Sequence, residues 1–370
     1  MSRLPIFRAR SLVILAWLCT AILVLIAASS AYDRSVRSSS PFIPASVANH
    51  GHSAPSGTCP PPSSTTPAPA NAPGVARALS PAELLCRPAA SSADVPKLLH
   101  QSWKTTQLPA KFQKWSDSCR QQHPDWEWVL WTDDDNLRLV KEHFPWLEET
   151  YLGLPGNIYR ADLARNLYMY KFGGVYADLD TECLRSTPDG LEEYSIPFSG
   201  VNETTGDAEA SAKIAIFGRM GTDMTYEQSI PNAWMASSPG HPFFLRPLEF
   251  AHDELEKSTS YLRQLLWKTP NAEHMTGPIA LRKTIMAYRY SGAEDEVVLL
   301  PGRMVYPYNW KEHGDFLSVC SAEQETFNAT VCKEKLEVKK KGSISITYWS
   351  HTHKGAGSDK HNIELISADK

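Results

Sequence analysis

Two features are absent from this sequence, and each absence excludes a class of function. Its seven cysteines include no Cys-x-x-Cys pair, which argues against a zinc ribbon. Basic residues form no stripe interleaved with aromatic residues, and the formal net charge is -4, so nothing favours a nucleic-acid partner. No internal repeat is found. What remains is 370 residues of ordinary globular composition, 42% hydrophobic and 21% charged, enough for one large core or two small ones.

An uncharged apolar segment lies near the N-terminus, over residues 12–28. With its neutral flanks it is just long enough to cross a bilayer core of about 30 Å. Three arginines and no acidic residue precede it, and this positive bias places the N-terminus in the cytosol. A cleaved signal peptide is the alternative, because small residues at 28–31 could be cut, but its apolar core is usually shorter. We predict a cytosolic tail over residues 1–10, a transmembrane signal anchor over 11–31 and a luminal location for the rest.

A segment rich in Ser, Pro, Ala and Thr follows the anchor. Nine of the 27 prolines lie between Pro41 and Pro73. Such a segment has too few large apolar side chains to bury, so it should be extended or disordered. A short helix is predicted over residues 79–86, with Ser80 before Pro81 as its start. The sequence therefore predicts a luminal stem over residues 32–94 and a folded domain over 95–370.

The cysteines and two glycosylation sequons are consistent with a luminal location. Six cysteines lie outside the anchor and could form disulfides in an oxidising compartment. Cys320 and Cys332 are the best local candidates for a pair, and the connectivity of the others is left open. Asn202 and Asn328 each begin an Asn-x-Thr sequon, which predicts N-glycosylation in a secretory compartment.

Strand and helix patterns alternate along the first half of the folded domain. They predict strands over residues 95–103, 126–131 and 175–177, and helices over 109–122, 133–143 and 157–172. The second half has fewer signals, namely a strand over 213–217 and a helix over 252–266. This alternation predicts an α/β fold, with a mostly parallel sheet flanked by helices. Ligands bind such sheets at the carboxyl ends of the strands, which draws attention to the residues after 177.

Two aspartates follow the third predicted strand. Asp178 and Asp180 are separated by one residue at a strand end, so both carboxylates can reach one small cation. Hard oxygen ligands suit Mg²⁺ or Mn²⁺ better than Zn²⁺. Such an ion would neutralise a diphosphate and help it to leave. The alternative is a polar turn, because an isolated Asp-x-Asp often occurs by chance.

A second polar pair lies on the helix before that strand. Asp162 and Arg165 are three residues apart and therefore share one face of an otherwise apolar helix. The pair could be a surface salt bridge worth a few tenths of a kcal/mol. Alternatively, Asp162 accepts hydrogen bonds from sugar hydroxyls, and Arg165 reaches hydroxyl or phosphate oxygens. Gly173 and Gly174 let the chain turn back, which brings this helix towards Asp178.

Three linked stretches resemble the family 32 glycosyltransferases. They are VPKLLHQSWKT (95–105), HPDWEWVLWTDDD (123–135) and IYRADLARNLYMYKFGGVYADLDTEC (158–183). The family includes fungal Golgi mannosyltransferases that act on N-glycans and enzymes that mannosylate inositol-phosphoceramide. The sugar-transferring domains of large clostridial toxins share its Asp-x-x-Arg and Asp-x-Asp motifs. The resemblance is densest over residues 95–183 and fainter afterwards.

The resemblance implies a GT-A-type, Rossmann-like nucleotide-sugar transferase domain. Asp162 and Arg165 would contact the donor sugar, while Asp178 and Asp180 would handle the metal and the diphosphate. The stretch around Asn232 would line the acceptor side. The nucleotide pocket would be lined by His100, Gln101, Ser102 and Trp103, with Trp103 stacking on the base or serving as a core residue. A histidine of a late motif would complete the metal shell. His351 is preferred, but this chain has His353 where relatives often have Trp, so the choice between the two is left open.

The implied reaction is a retaining hexosyl transfer. The donor would be GDP-mannose, the metal Mn²⁺ or Mg²⁺, and the acceptor a glycan or glycolipid in the Golgi lumen. Arg165 would stabilise the leaving diphosphate, and front-face attack with that phosphate as base is favoured because no protein nucleophile is evident. A glycoside hydrolase is disfavoured. Its two carboxylates lie about 5–9.5 Å apart on opposite sides of the scissile bond, whereas an Asp-x-Asp at one strand end is better suited to binding a metal ion. The other alternative is a non-catalytic sugar-binding or partner subunit of a glycosyltransferase complex.

Overall fold

The computed structural model describes residues 42–48, 74–88, 92–200, 212–259, 269–291, 295–350, 353–354 and 358–359. The predicted cytosolic tail and transmembrane anchor lie outside these ranges, as do Asn202 and His351. Within the described ranges, none of the helices has the length and apolar character needed to cross a bilayer.

The described part of the chain alternates strands and helices. The strands are β1 (Arg77–Ala78), β2 (Val95–Pro96), β3 (Leu98–Ser102), β4 (Glu127–Trp131), β5 (Gly174–Ala177), β6 (Thr181–Cys183), β7 (Phe198–Ser199), β8 (Ile214–Gly218), β9 (Trp234–Ser237), β10 (Glu296–Leu300), β11 (Ser345–Thr347), β12 (His353–Lys354) and β13 (Ser358–Asp359). The α-helices are α1 (Ala45–Ala48), α2 (Pro81–Leu85), α3 (Ala110–Gln122), α4 (Asp133–His143), α5 (Glu148–Gly153), α6 (Asn157–Phe172), α7 (Thr187–Gly190), α8 (Arg246–Thr259), α9 (Ala272–Met275), α10 (Pro278–Arg289), α11 (Gly302–Val305), α12 (Leu317–Cys320) and α13 (Ala329–Lys335).

A seven-stranded sheet forms the centre of the fold, in the order β1-β4-β3-β5-β9-β8-β10. Only β9 in this sheet is antiparallel to its neighbours, β5 and β8. The other neighbouring pairs are all parallel. The predicted α/β fold with a mostly parallel sheet is therefore confirmed.

The predicted helices α3, α4 and α6 are all present, close to their predicted bounds. Helix α4 begins at a capping box, in which the Thr132 side chain accepts from the Asp135 backbone N–H and Asp135 binds back to Thr132. Helix α6 is buried along most of its length, because it lies between the sheet and α8. Burial on nearly every side explains why its sequence is apolar all round apart from a few polar residues.

Two glycines after α6 return the chain into the sheet. Gly173 and Gly174 have φ values of 65° and 88°, which L side chains rarely adopt. A Cβ atom on Gly174 would lie 2.4 Å from the carbonyl oxygen of Leu98 on the neighbouring strand. Only glycine fits this turn. The turn fixes where β5 begins, and therefore where Asp178 lies after the strand.

One predicted helix has different bounds in the structure. The sequence predicts a helix over residues 252–266, but α8 begins at Arg246 and its described part ends at Thr259. Pro247 lies in its first turn, where a proline needs no intrahelical hydrogen bond. The proline was therefore no barrier to an earlier start. Leu248, Ala251 and Leu255 form the buried face of α8.

Two stretches of the predicted stem pack against the folded domain. Phe42 stacks on His252 of α8 with ring centroids 3.8 Å apart, and the Tyr170 hydroxyl donates to the Val47 carbonyl at 3.0 Å. Further along, β1 extends the central sheet beside β4, and Ser80 caps α2 as predicted. The domain boundary at residue 95 stays a prediction, but these residues are ordered parts of the fold.

Two disulfides connect elements around the sheet. One joins Cys320 of α12 to Cys332 of α13, the pair that the sequence favours. The other joins Cys119 of α3 to Cys183 of β6 across 64 residues. The second pairing could not be read from spacing, because it depends on α3 and β6 lying side by side.

Candidate active site

A cavity of about 330 Å³ lies at the carboxyl ends of β3 and β5. The strand register pairs His100 with Tyr176, so Ser102 and Asp178, each two residues further on, are level at the sheet edge. This is the location at which parallel sheets bind ligands. The cavity is lined by Ser102, Trp103, Lys104, Phe112, Asp133, Asn157, Ile158, Ala161, Asp162, Arg165, Tyr176, Asp178, Leu179, Asp180, Asn232, Asn271, Ala272, Glu273, Trp349 and Ser350.

Arg165 joins the two predicted polar pairs into one network. Its Nη2 lies 3.0 Å from Asp162 Oδ1, and its Nη1 lies 3.1 Å from Asp178 Oδ1. Nη1 also donates to the Asn232 carbonyl at 2.7 Å, and the guanidinium lies over the Tyr176 ring, 4.7 Å from its centroid. Arg165 is only 5% exposed. The pair Asp162–Arg165 is therefore a buried network and not the surface salt bridge that was the alternative.

Burial and charge act in opposite directions on this network. Burial raises the pKa of Asp162 to about 6, although the Arg165 guanidinium acts to lower it. Burial acts to lower the pKa of Arg165, but the charges of Asp178, Tyr176 and Asp162 hold it above its usual value. Asn232 also supports Asp162, because its amide Nδ2 donates to Asp162 Oδ1 at 2.8 Å.

Tyr176 of β5 holds Asp178 in place from below. Its hydroxyl donates to Asp178 Oδ1 at 2.6 Å and lies 3.3 Å from the Ser102 hydroxyl. Burial raises the pKa of Tyr176 well above its usual value, so the phenol keeps its proton and remains a donor. Arg165 and Tyr176 both bind Oδ1, which orients the carboxylate of Asp178.

Asp180 is held by a segment from the far end of the chain. The backbone N–H and the hydroxyl of Ser350 bind Asp180 Oδ2 at 2.8 and 3.0 Å. The reason is the antiparallel pairing of β11 with β6, in which Thr347 lies opposite Thr181. The chain that leaves β11 therefore runs past Asp180 and brings Trp349 and Ser350 into the cavity wall.

The carboxylates fit a small divalent cation. Both donate hard oxygen ligands, and no described residue donates a hydrogen bond to Oδ2 of Asp178. Among the described residues, no group of three or more His, Cys, Asp or Glu side chains could hold a metal ion. Two carboxylates suit Mg²⁺-like ions whose other ligands are water and substrate phosphates. His351 lies outside the described residues, so its predicted place in the metal shell stays a prediction.

Four residues were predicted to line the nucleotide pocket, and the structure divides them. Ser102 and Trp103 line the cavity. His100 is fully buried within the sheet, where its Nε2 bonds to the Gly173 carbonyl at 3.0 Å and its Nδ1 accepts from a tryptophan. Burial lowers the pKa of His100 to about 3, so it is neutral. Gln101 is also fully buried, and its Oε1 accepts from Ser116 and from a tryptophan. The hydrogen bonds of His100 and Gln101 hold the sheet to its neighbouring elements. Neither side chain lines the cavity, which corrects the prediction that both line the nucleotide pocket.

Several lining residues were missed by sequence reasoning. Trp349 and Ser350 lie inside the late histidine motif, but only the pairing of β11 with β6 shows that they reach Asp180. Asp133 and Asn157 come from the first residues of α4 and α6, and their side chains bond at 3.0 Å. Glu273 comes from α9, a part of the chain where no element was predicted. Asp133, Asn157 and Glu273 share one sequence signal, a polar residue at the start of a helix. That signal is too frequent in proteins to identify a site by itself.

Comparison with known proteins shows what part of the chain is similar to. Residues 109–197 match the family described as "Glycosyltransferase sugar-binding region containing DXD motif". "Inositol phosphoceramide mannosyltransferase 3" of Schizosaccharomyces pombe is 45% identical over 103 residues, which are 28% of this chain and 29% of that protein. "Mannosyl phosphorylinositol ceramide synthase CSH1" of Saccharomyces cerevisiae is 28% identical over 229 residues, 61% of this chain and 51% of that protein. These matches confirm the predicted resemblance to the Asp-x-Asp sugar transferases, while this chain spans between about three tenths and half of the length of these relatives.

Two solved structures were also matched over part of the chain. "PaToxG Glycosyltransferase" is 14% identical, with a TM-score of 0.33 over 52% of this chain and 69% of that one. The UDP-bound glycosyltransferase domain from the YGT toxin is 10% identical, with a TM-score of 0.35 over 56% of this chain and 80% of that one.

Proposed function

Because residues 109–197 belong to the Asp-x-Asp family of glycosyltransferase sugar-binding regions, we propose that the chain is a metal-dependent, retaining mannosyltransferase. The donor is GDP-mannose, and the acceptor is a glycolipid with an inositol-phosphate head group, exposed on the luminal side of a Golgi membrane. The two relatives named for mannosylation of inositol phosphoceramide favour this acceptor over an N-glycan. The chain is anchored by its N-terminal helix and can act within a glycosyltransferase complex.

One observation carries the proposal. The buried residues Asp162 and Arg165 form a continuous network with the half-buried Asp178, and Asp180 lies beside it on the same cavity wall. A structural salt bridge would not need two further carboxylates at an open sheet edge. A network that holds carboxylates at a cavity wall is suited to a substrate that carries both hydroxyls and phosphates.

The geometry suggests how the donor is held. The base stacks against Trp103, whose ring is steadied by Phe112 at a centroid distance of 5.1 Å. The diphosphate lies at Asp178 and Asp180, where a bound Mn²⁺ or Mg²⁺ supplies charge neutralisation. Asp162 accepts hydrogen bonds from the hydroxyls of the sugar.

Arg165 has a more indirect role than the sequence predicts. Its Nη1 and Nη2 nitrogens are already bonded to protein atoms, and no described residue bonds to its buried Nε. It orients Asp162 and Asp178, and its positive charge stabilises the negative charge that develops on the leaving diphosphate nearby. The hydroxyls of Ser102 and Ser350 at the cavity wall are bonded to Tyr176 and Asp180, and front-face attack that uses the leaving phosphate as base needs no protein nucleophile.

The acceptor occupies the outer end of the same cavity. Asn157 precedes Asp162 by five residues, about 7.5 Å along the helix axis, which leaves room for another ring beyond the donor sugar. Asp133 and Asn157 line this end and are bonded to each other. Both can bind hydroxyls, but the carboxylate of Asp133 would repel a phosphate. The hydroxyl-rich ring of the acceptor should therefore enter first, with its phosphate outside.

The test is a donor panel. The full-length chain in detergent is incubated with Mn²⁺ and a series of nucleotide sugars, with and without an inositol-phosphate glycolipid, and nucleotide release and transfer are followed. We expect release from GDP-mannose, transfer to the lipid and loss of both in Asp180→Ala. Asp134→Asn is the matched control, because Asp134 is exposed beside Asp133 and does not line the cavity.

Three results would count against parts of the proposal. Unchanged activity in a folded Asp180→Ala protein would remove the metal site from the mechanism. Donor binding by the wild type without release or transfer would favour the alternative of a non-catalytic sugar-binding subunit. A trapped covalent glycosyl-enzyme would contradict front-face attack.

A further inference from the structure

A second cavity, of about 520 Å³, lies between α3 and α13. It shares no lining residue with the candidate active site. The cavity is lined by Ala110, Lys111, Gln113, Lys114, Trp115, Asp117, Ser118, Gln121, Glu182, Ala329, Thr330 and Lys333. Three lysines, Lys111, Lys114 and Lys333, line it beside two carboxylates, so its lining carries one more positive than negative charge.

Lys111 is a buried cation without an acceptor. It is only 6% exposed, and its Nζ lies 4.2 Å from the ring centroid of Phe327 and 5.4 Å from that of Trp115. No residue in the described ranges accepts a hydrogen bond or forms an ion pair with this ammonium group. Contacts with two aromatic rings offset only part of the free-energy cost of burying an unpaired charge. Lys111 is therefore incompletely compensated by the protein.

The other charged groups around the cavity do not supply the missing acceptor. Glu182 binds Lys333 at 2.5 Å and also accepts from the Tyr348 hydroxyl. Asp117 accepts from the amides and guanidinium on its own helix, α3. Lys114, one turn from Lys111 on the same face of α3, is exposed and has no ion pair within the described ranges. Two cations thus face the cavity without a carboxylate of their own.

We propose that this cavity binds a phosphate group, with Lys111 as its buried contact and Lys114 as its exposed contact. An anion would give Lys111 the acceptor that the protein lacks, with the strength of a charge-assisted hydrogen bond. Gln121 of α3 and Thr330 of α13 also line the cavity and suit the hydroxyls of a phosphorylated polyol. The phosphate comes either from a free phosphorylated polyol or from a lipid head group. The site is separate from the proposed transferase centre and is tested without measuring transfer.

The pH dependence of binding follows from the surroundings of Lys111. Burial, together with the charge of Lys114, lowers the pKa of Lys111 to about 8. Asp117, Glu182 and Lys333 are the other charged groups that line the cavity. A phosphate binds the protonated amine, so its affinity should be highest below about pH 8 and should fall as the pH rises through 8 to 9.

The test measures phosphate binding by the full-length chain in detergent. Inorganic phosphate and inositol monophosphate are titrated at pH 7 and pH 9, without metal or nucleotide sugar, and followed by calorimetry. We expect Lys111→Met to weaken binding at least tenfold and Lys111→Arg, which keeps the charge, to retain it. Lys340→Met is the matched control, since Lys340 is a largely exposed lysine that pairs with Glu337 away from the cavity.

Mixed micelles distinguish the two sources of phosphate. Stabilisation of the chain by phosphatidylinositol beyond that by phosphatidylcholine, lost in Lys111→Met, would assign a lipid head group. Binding of the soluble phosphates alone would assign a free phosphorylated polyol. The proposal is overturned if the wild type binds none of these probes, if a folded Lys111→Met protein binds them as the wild type does, or if Lys340→Met loses as much affinity.

Discussion

Replacement of Arg165 by methionine tests the central network most directly. Methionine keeps much of the side-chain volume but leaves Asp162, which is 6% exposed, and Asp178, whose side chain is 30% exposed, without a cation. Removal of one partner from a buried ion pair typically costs about 3–5 kcal/mol, because the other charge stays buried and unpaired. We expect Arg165→Met to lower the free energy of unfolding by about that amount.

The double variant Asp162→Asn/Arg165→Met separates charge from packing. The amide removes the unpaired charge and can still accept the hydrogen bond from Asn232. We therefore expect the free energy of unfolding of the double variant to exceed that of Arg165→Met by roughly 1–3 kcal/mol, because the two side chains interact directly. Both variants should release no nucleotide, because sugar recognition and the orientation of Asp178 are lost in each.

The assay is urea-induced unfolding followed by tryptophan fluorescence at pH 7.5 with a chelator present. Arg138→Met is the matched control, because Arg138 pairs with Asp135 at the same three-residue spacing but is 38% exposed. Such a pair is worth about 0.2–1 kcal/mol. Equal destabilisation by Arg165→Met and Arg138→Met would refute the reasoning, as would a double variant less stable than Arg165→Met.

Three further predictions concern pH, packing and covalent structure. Because burial raises the pKa of Asp162 to about 6, the folded state binds this proton more tightly than the unfolded state. The stabilising effect of this proton is complete only well below pH 4 and is lost as the pH rises through 6. The unfolding free energy of the wild type relative to Asp162→Asn should therefore fall by about 2 kcal/mol between pH 4 and pH 6, and by about 3 kcal/mol over the whole titration. Gly277→Ala should reduce nucleotide release, because the new Cβ would lie 3.1 Å from Asp162 Oδ2 and 2.9 Å from the backbone of α9. In the control Gly314→Ala the Cβ meets no atom within 4 Å, so nucleotide release should not change. Non-reducing peptide mapping should find Cys119 joined to Cys183, and replacing both by serine should lower the unfolding free energy by about 4 kcal/mol; a peptide map with both thiols free would contradict this pairing.

Local signals predicted the elements that build the sheet edge. Helix α6 was predicted with the bounds that the structure has, because a long patterned segment ends at Gly173 and Gly174. The start of α4 was visible in its capping sequence. The linked spacing of Asp162, Arg165 and Asp178 along one helix, turn and strand was also local information, and the structure brings these three side chains into contact.

Contacts between distant parts of the chain could not be predicted in this way. His100 and Ser102 belong to one short strand, yet His100 is enclosed by α6 and Gly173 while Ser102 reaches the cavity at the strand end. Residue type does not decide between these positions. Likewise, the partner of Cys119 depends on which strand packs beside α3, and no spacing rule contains that choice.

The sequence by itself determined the α/β class, the strand end that carries Asp178 and Asp180, and the polar face of α6, because each depends on residues close together in the chain. The tertiary structure decided what each of these residues does. It buried Arg165 between two aspartates, which makes it an orienting cation, and it brought Ser350 to Asp180 across 170 residues of chain. It also left Lys111 buried with no hydrogen-bond acceptor among the residues that the structure describes. Charge and hydrogen bonding act through space over a few ångströms, so their partners are known only when the fold has set those distances.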